Sequence, residues 1–336
     1  MASYADQEGA LDIAPEAGSL ADGAAQGLPE YAIEAHQLRK VYKASGGQPA
    51  KEALKGIDLK IKRGSVFGLL GPNGAGKSTF INILAGLVNK TSGSASIWGF
   101  DTTVNPRQAR GAIGVVPQEL NVDPFFTPAE AMELQAGLYG VRKADRRTLE
   151  ILDALGLADK ADAYARTLSG GMRRRLLVAK ALVHTPPVLI LDEPTAGVDI
   201  ELRRQLWDYV KELNKRGTTI VLTTHYLEEA QSLCDEIAIV NHGEVVCCEP
   251  TEQLLSRIHE KRVIVRGEDP ITEVPESLRM LKSEITADGQ LSVMFNPTEI
   301  KLADVLARIN VAGIVVADLS TQEADLEDVF LKLTSG

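Results

Sequence analysis

A glycine-rich segment that ends in Lys-Ser-Thr predicts a binding site for nucleotide phosphates. It matches the pattern G-x-x-x-x-G-K-[ST] between an apolar run and a helical run. Glycines at its fourth and sixth positions let the backbone turn successive N–H groups into one concavity at a helix N-terminus, which attracts anions. This phosphate loop consists of Gly71, Pro72, Asn73, Gly74, Ala75, Gly76, Lys77, Ser78 and Thr79. Lys77 brings a positive charge to the β- and γ-phosphates, and the Ser78 hydroxyl suits the coordination shell of Mg²⁺.

Two adjacent acids, Asp192 and Glu193, follow the apolar run Val188–Leu191. That run predicts a buried strand, and ligands of α/β proteins gather at the carboxyl ends of strands. We expect Asp192 to hold Mg²⁺ through water and Glu193 to orient and deprotonate an attacking water. Two acids at a strand end can also form a solvated turn, but beside a phosphate loop we favour hydrolysis.

A third segment, Leu168–Met172, reads LSGGM and opens the helical run Arg173–His184. By itself, Ser169 would be an ordinary helix N-cap. Its place about twenty residues before Asp192, together with the two motifs above, instead predicts a second anion site at a helix N-terminus. We refer to Leu168–Met172 as the signature segment.

Strands and helices alternate around these motifs. Continuous apolar strands between helical stretches predict an α/β fold whose mostly parallel core sheet is covered on both faces. The predicted strands are Ser65–Leu70, Ala112–Val116, Val188–Leu191 and Thr219–Thr223. The predicted helices include Thr79–Leu87, Glu201–Lys215 and, within an inserted helical block at Pro128–Ala165, Ala129–Tyr139 and Asp145–Gly156.

The two ends of the chain carry no chemical motif. Residues 1–30 are rich in Ala, Gly, Asp and Glu without sustained periodicity, which predicts a disordered acidic tail. Residues 31–260 form the motif-bearing domain. Residues 261–336 are expected to form a small C-terminal accessory α/β domain, with predicted elements at Arg262–Arg266, Leu291–Phe295, Leu302–Asn310, Ile314–Asp318 and Asp325–Lys332.

Composition argues against several classes of protein. The 336 residues carry 36 Lys and Arg against 46 Asp and Glu, a net charge of −10, so non-specific nucleic-acid binding is not expected. The longest charge-free run, Gly64–Gly76, is shorter than the roughly 20 apolar residues of a membrane-spanning helix. No secretory signal is expected, because the first basic residue is Arg39. The cysteines at 234, 247 and 248 fit neither a disulfide framework nor a zinc site, so we expect a cytoplasmic protein.

The motifs occur in an order that resembles the ATP-binding subunit of ABC transporters, over roughly Tyr31–Glu260. The resemblance implies the P-loop NTPase fold of ABC ATPases, with a helical subdomain at about 119–167 and with ATP and Mg²⁺ as ligands. It also implies a homodimer, because in that family the signature segment of one subunit closes over ATP held by the phosphate loop of another.

The resemblance further implies a role for each matched residue. Ser169, Gly170 and Gly171 would bind the γ-phosphate of the partner subunit's nucleotide. Gln118, in the sequence VVPQ, would contact Mg²⁺ and the attacking water, and His225 would reach the γ-phosphate. The implied catalytic residues are Lys77, Gln118, Glu193 and His225, and the implied Mg²⁺ ligands are Ser78, Gln118 and Asp192.

Two more positions match the family, and one departs from it. Asp199 matches the acid of the D-loop at the dimer seam, a role compatible with capping the following helix. Tyr42 matches the aromatic residue that stacks on adenine, although an aromatic residue at a strand end can also be a packing residue. Met172 stands where many members have Gln, just inside the helix, while every catalytic position matches.

Within the family, three segments look most like the stand-alone ATPases of the ABC-2 export group: Asn121–Thr127, Leu189–Arg203 and Thr223–Ala230. In that group a separate permease carries the drug, polysaccharide or lipid substrate. The resemblance therefore implies a protein on the inner face of the cell membrane that contacts the membrane only through an ABC-2 type permease. An importer ATPase and a soluble ABC-type ATP switch remain as alternatives.

Overall fold

Strands and helices alternate along most of the chain. The computed structural model describes residues 27–44, 49–196, 198, 200–256, 261–297, 299–323 and 326–334, so Asp199 and residues 1–26 of the predicted tail lie outside the described residues. The strands are β1 (Tyr31–Tyr42), β2 (Lys51–Lys62), β3 (Val66–Leu70), β4 (Ser92–Ile97), β5 (Phe100–Asp101), β6 (Ile113–Val116), β7 (Val188–Asp192), β8 (Thr219–Thr223), β9 (Glu236–Asn241), β10 (Glu244–Pro250), β11 (Lys261–Gly267), β12 (Lys282–Ile285), β13 (Leu291–Phe295) and β14 (Val316–Glu323). The helices are α1 (Lys77–Leu84), α2 (Pro106–Gly111), α3 (Pro128–Leu138), α4 (Thr148–Ala154), α5 (Gly170–Leu182), α6 (Ile200–Lys215), α7 (Leu227–Leu233), α8 (Thr251–Ser256), α9 (Leu302–Val311) and α10 (Leu326–Thr334).

The central sheet has the strand order β10-β9-β3-β8-β7-β6. Strand β3 pairs in parallel with β8 and β9, and β7 pairs in parallel with β6 and β8. Every residue of β3 and β8 is buried, as expected of strands covered on both faces. The predicted α/β fold with a mostly parallel core sheet is confirmed, together with its four predicted strands.

Parallel pairing brings the predicted chemical groups to one edge of this sheet. Strand β3 ends at Leu70, directly before the phosphate loop. Strand β7 ends at Asp192, which pairs with Thr223 at the end of β8. Strand β6 ends two residues before Gln118. Three motifs that are far apart in sequence therefore start from neighbouring strand ends.

A second sheet, with the order β2-β1-β4-β5, is not predicted by the sequence patterns. Strand β1 pairs antiparallel with β2 and β4, and several register shifts interrupt the pairing. These irregularities break the two-residue alternation that would reveal a half-buried strand. Its buried residues, such as Ile33 and Leu54, belong to the same hydrophobic core as Phe67 of β3 and Phe80 of α1.

The helical insertion follows its sequence signals, with helix boundaries shifted by one to three residues. Helix α3 begins with a capping box, in which Thr127 Oγ1 accepts from Glu130 N and Glu130 accepts from Thr127 N. Helix α5 begins at Gly170, three residues before the predicted start, because Ser169 caps it. No described helix has the length and apolar composition needed to cross a membrane.

Contacts divide the chain into two compact units, and the second contains residues 226–232 and everything from residue 249 onward. Its sheet has the order β12-β13-β11-β14 and is antiparallel. Val263 and Val293 of the sheet share a hydrophobic core with Val305 and Ile309 of α9. Strand β12 is not predicted by the sequence, because its four residues are all at least partly exposed.

An aromatic stack joins the end of α3 to the end of α5. The rings of Tyr139 and His184 are nearly parallel, with their centroids 3.7 Å apart. His184 Nε2 lies 3.1 Å from the carbonyl oxygen of Ile113, so the neutral ring donates to the strand that leads to Gln118. Burial lowers the pKa of His184 to about 4, and the bond to Ile113 opposes that shift.

The burial of His184 makes the free energy of unfolding depend on pH. Between about pH 4 and 6.5 the unfolded chain binds more protons at residue 184 than the folded protein does. The contribution of His184 to stability is therefore fully present above that range and is lost as the pH falls through it. We expect the free energy of unfolding to fall by up to about 3 kcal/mol from pH 7 to pH 4 through this residue. The measurement is urea unfolding across that range. His184→Phe keeps a stacked ring and should flatten this part of the profile; an unchanged pH slope in the variant would contradict the assignment.

Candidate active site

The phosphate loop runs from the end of β3 to the first turn of α1. Phe80 N makes the first hydrogen bond within the helix, to Gly76 O at 2.9 Å, so the N–H groups just before it have no acceptor inside the helix. Gly76 has φ +114°, and a Cβ atom there would lie 2.7 Å from Ala53 O. Gly71 is equally confined, because a Cβ atom would lie 2.1 Å from Val240 O. Glycine is therefore required at both positions.

The side chain of Lys77 folds back over the first residues of the phosphate loop. Its side chain is buried, and Nζ donates to Gly71 O at 2.6 Å and to Pro72 O at 3.3 Å. Burial lowers the pKa of Lys77, while the nearby charges of Glu193 and Asp192 raise it. These contacts hold a positive charge at the mouth of the loop, where phosphate oxygens could replace the two carbonyl groups.

Asp192 and Glu193 are held by the end of β8. Thr223 Oγ1 donates to Asp192 Oδ1 at 2.5 Å, and Glu193 N donates to Thr223 Oγ1 at 3.0 Å. Burial raises the pKa of Asp192, and the bond from Thr223 and the charge of Lys77 oppose that rise. Thr223 was not among the predicted site residues; its place two positions before His225, at the end of an apolar strand, is the signal that could have found it.

Three predicted residues meet at the Glu193 carboxylate. Glu193 Oε2 lies 3.1 Å from Gln118 Nε2 and 3.3 Å from His225 Nδ1. Glu193 has φ +47°, a left-handed conformation that is unusual for a residue with a side chain. Only 14% of its side chain is exposed, against 52% for His225. Backbone strain of this kind is concentrated at functional sites.

The residues present fit a nucleotide with Mg²⁺. The available amides of the loop and the Lys77 ammonium suit phosphate oxygens. A hydroxyl (Ser78), a carboxylate (Asp192) and an amide oxygen (Gln118) are the hard ligands that Mg²⁺ prefers. Among the described residues, no cluster of three or more His, Cys, Asp or Glu could hold a metal by itself.

Other predicted residues have no described hydrogen bond to this cluster. Ser169 caps α5, where its Oγ accepts from Met172 N at 3.2 Å, and both Ser169 and Gly170 are exposed. Tyr42, at the end of β1, is 39% exposed, with Lys40 Nζ 4.8 Å from its ring centroid. Asp199 lies outside the described residues. Ser169, Gly170 and Tyr42 are thus surface residues of the described chain.

Curated relatives are similar over nearly the whole chain. The daunorubicin/doxorubicin resistance ATP-binding protein DrrA of Streptomyces peucetius is 37% identical, over 91% of this chain and 93% of its own length. The linearmycin resistance ATP-binding protein LnrL of Bacillus subtilis is 35% identical, over 90% and 98%. The Nod factor export ATP-binding protein I of Cupriavidus pinatubonensis is 37% identical, over 89% and 90%.

Solved structures and a family model agree with these relatives. The ATP-binding subunit of an ABC transporter matches with a TM-score of 0.61 and 28% identity, over 67% of this chain and 92% of its own. A dimeric ATP-binding cassette in a post-hydrolysis state, bound to ADP and Pi, matches with a TM-score of 0.59 and 29% identity, over 65% and 98%. The family model described as ABC transporter matches residues 54–196. The chain belongs to the ABC transporter family, as one of its ATP-binding subunits.

Proposed function

We propose that this chain is the nucleotide-binding subunit of an ABC-2 type exporter, which hydrolyses ATP to drive transport by a separate membrane permease. One observation carries the enzymatic part: Glu193 is held in a strained conformation between Gln118 and His225, beside Asp192 and Lys77. Relatives named for drug resistance or Nod factor export support export, rather than import or a soluble ATP switch.

Before hydrolysis, ATP would be bound mainly by the phosphate loop. Backbone N–H groups at the start of α1 would donate to the phosphate oxygens, and Lys77 would exchange its two carbonyl partners for the β- and γ-phosphates. Ser78, Gln118 and Asp192 would hold Mg²⁺, which neutralises phosphate charge when bound. Tyr42 would stack on the adenine ring, and its exposed face supports that role.

Glu193 would act as the general base of hydrolysis. It would accept a proton from a water whose oxygen attacks the γ-phosphorus, while the bond from that phosphorus to the ADP oxygen breaks. Gln118 would fix the carboxylate and the water through its amide group, and His225 would contact the γ-phosphate. Their distances to Glu193 Oε2, 3.1 and 3.3 Å, support these roles.

Completion of the site would require a second copy of the chain. Ser169, Gly170 and Gly171 would bind the γ-phosphate held by the phosphate loop of the partner, and Asp199 would lie at the seam. Support comes from the exposure of Ser169 and Gly170 at the N-terminus of a thirteen-residue helix, where backbone amides favour anions. A similar ATP-binding cassette is dimeric in its solved structure, which supports assembly with a second copy.

A groove beside Gln118 would receive the permease at the inner face of the membrane. It has a volume of about 260 Å³ and is lined by residues of α2, β6, α3 and α5 and of the segments that follow α1 and β6. Leu87 and Tyr139 are exposed there, and Leu138 beside them is 75% exposed. Exposed apolar surface of this kind marks protein contacts. Pro117 and Asn121, which also line the groove, flank Gln118, so an apolar segment of the permease bound here would be linked to the catalytic cluster.

Replacing the general base should separate ATP binding from hydrolysis. Glu193→Gln keeps the shape of the side chain but removes the proton acceptor, so we expect hydrolysis to slow by about 10²–10⁴-fold. Binding of Mg²⁺–ATP should persist, and the variant should accumulate as an ATP-bound dimer. The measurements are phosphate release and size-exclusion chromatography with ATP. The matched variant Asp192→Asn should instead weaken the response to Mg²⁺. Near wild-type turnover by Glu193→Gln would show that another group is the base.

Removing the loop cation should weaken nucleotide binding. Lys77→Ala deletes charge-assisted contacts that contribute about 1.5–3 kcal/mol, so affinity for ATP should fall by about 10–150-fold. Calorimetric titration with ATP measures this loss. Lys90→Ala is the control, because Lys90 Nζ also donates to a backbone carbonyl, Gly93 O at 2.7 Å, outside the loop. Unchanged affinity in Lys77→Ala would exclude this loop as the nucleotide site.

The need for two subunits should appear in the kinetics. Because each site would take its signature segment from the partner, hydrolysis per subunit should rise with protein concentration. Lys77→Ala and Ser169→Arg chains, each inactive alone, should regain activity when mixed, since one composite site combines an intact loop with an intact signature segment. A rate per subunit that is independent of concentration, with no rescue on mixing, would contradict the two-subunit site.

A further inference from the structure

Three consecutive arginines follow the signature segment on α5, at positions 173–175. Successive side chains on a helix point about 100° apart, so the three reach different neighbours. Arg174 is the most buried, with 4% of its surface exposed. None of the three has a role in the function proposed above.

Arg174 donates hydrogen bonds to the backbone of the segment that contains Gln118. Its Nη1 atom donates to Pro117 O and its Nη2 atom to Gln118 O, each at 2.8 Å. The planar guanidinium thus holds two successive carbonyl groups with its two terminal nitrogens, a geometry that Lys cannot reproduce. Its Nε atom is buried without a hydrogen-bond partner among the described residues. Burial lowers the pKa of Arg174, and the charges of Asp192 and Glu193 oppose that shift.

Burying an arginine at a helix contact costs free energy. A buried cation loses its hydration, and here only two neutral carbonyl groups are described as its hydrogen-bond acceptors. An apolar residue of similar volume would pack at this position without that cost. What the guanidinium adds is a fixed distance between α5 and the backbone at Gln118.

The contacts continue from there to the proposed base. Gln118 O is bound by Arg174, while Gln118 Nε2 donates to Glu193 Oε2 at 3.1 Å. At the other end, α5 is capped by the exposed Ser169, five residues before Arg174. A single rigid helix therefore links an exposed anion site to the amide that contacts the base.

We propose that Arg174 is a positioning residue that holds Gln118 to α5, so that binding of the partner's nucleotide at Ser169 sets the position of Gln118 against Glu193. This inference rests on the proposed function. It adds a mechanical link between the signature segment of one subunit and the catalytic cluster of that same subunit, and hence between the two sites of a dimer.

Arg175 provides a matched control on the same helix. Its Nη1 atom also donates to two successive carbonyls, Leu155 O at 2.7 Å and Gly156 O at 3.1 Å. These carbonyls follow α4, in the helical insertion, rather than Gln118. Arg174→Met and Arg175→Met therefore each remove hydrogen bonds from α5 to two successive carbonyls, which belong to different segments.

Hydrogen–deuterium exchange of the full chain without nucleotide tests the tie directly. Arg174→Met should speed exchange in peptides covering residues 117–122 and leave those covering 153–158 unchanged, and Arg175→Met should do the reverse. Equal exchange of residues 117–122 in Arg174→Met and wild type would overturn the proposal. Arg174→Lys, which keeps the charge but not the paired geometry, should show an intermediate effect, and it carries the test if Arg174→Met does not fold.

Hydrolysis kinetics test the consequence for catalysis. Arg174→Met should lower kcat by about 10–100-fold, as loss of a residue supporting a metal ligand does, with little change in KM for ATP. Arg175→Met should retain most of kcat. Gln118→Ala should be no slower when Arg174→Met is added, because both changes remove the same contact to Glu193. Equal losses of kcat in the two arginine variants, or effects of Arg174→Met and Gln118→Ala that multiply, would overturn the role.

Glu193→Gln, measured beside these variants, separates the two levels of inference. If Glu193→Gln abolishes turnover while Arg174→Met and Arg174→Lys keep wild-type kcat and exchange, only the positioning role fails. If Glu193→Gln itself turns over ATP, the proposed function fails, and the exchange result still decides whether Arg174 ties residues 117–118 to α5.

Discussion

Parallel pairing of β3, β6, β7 and β8 is the constraint on which the rest of the site depends. Parallel strands end at the same edge of a sheet, so the segments that leave them begin side by side. The pairing of Asp192 with Thr223 places a carboxylate beside a hydroxyl that can donate to it. The phosphate loop and the acid pair are more than a hundred residues apart in sequence. This register is what brings them together in space.

The charges gathered at this edge keep one another in place. Burial disfavours the charged forms of both Lys77 and Asp192, and their opposite signs partly compensate for the lost hydration. Thr223 contributes a neutral donor to Asp192 and an acceptor to the Glu193 amide. The negative phosphates of a bound nucleotide would further favour the charged form of Lys77.

The sequence predicts the elements that have strong local signals. Apolar strands such as Val188–Leu191 and the phosphate loop are visible because burial on both faces and a demanding backbone each restrict residue choice. Strand β1, with its register shifts, and the exposed strand β12 carry no comparable pattern. Among site residues, Gln118 and His225 are found through the family resemblance, whereas Thr223 and Arg174 act through contacts between distant segments that only the folded chain reveals.

The turn between β9 and β10 also reaches the phosphate loop. Gly243 N donates to Ala75 O and Gly243 O accepts from Lys55 N, each at 2.8 Å, so the loop is fastened both to the hairpin and to the antiparallel sheet before any ligand arrives. Ordering a flexible loop of this length would cost conformational entropy of about 1–2 kcal/mol per residue at the moment of binding. Because that entropy is lost during folding instead, more of the interaction energy with phosphate contributes to affinity. Nucleotide exchange also need not wait for the loop to fold and unfold.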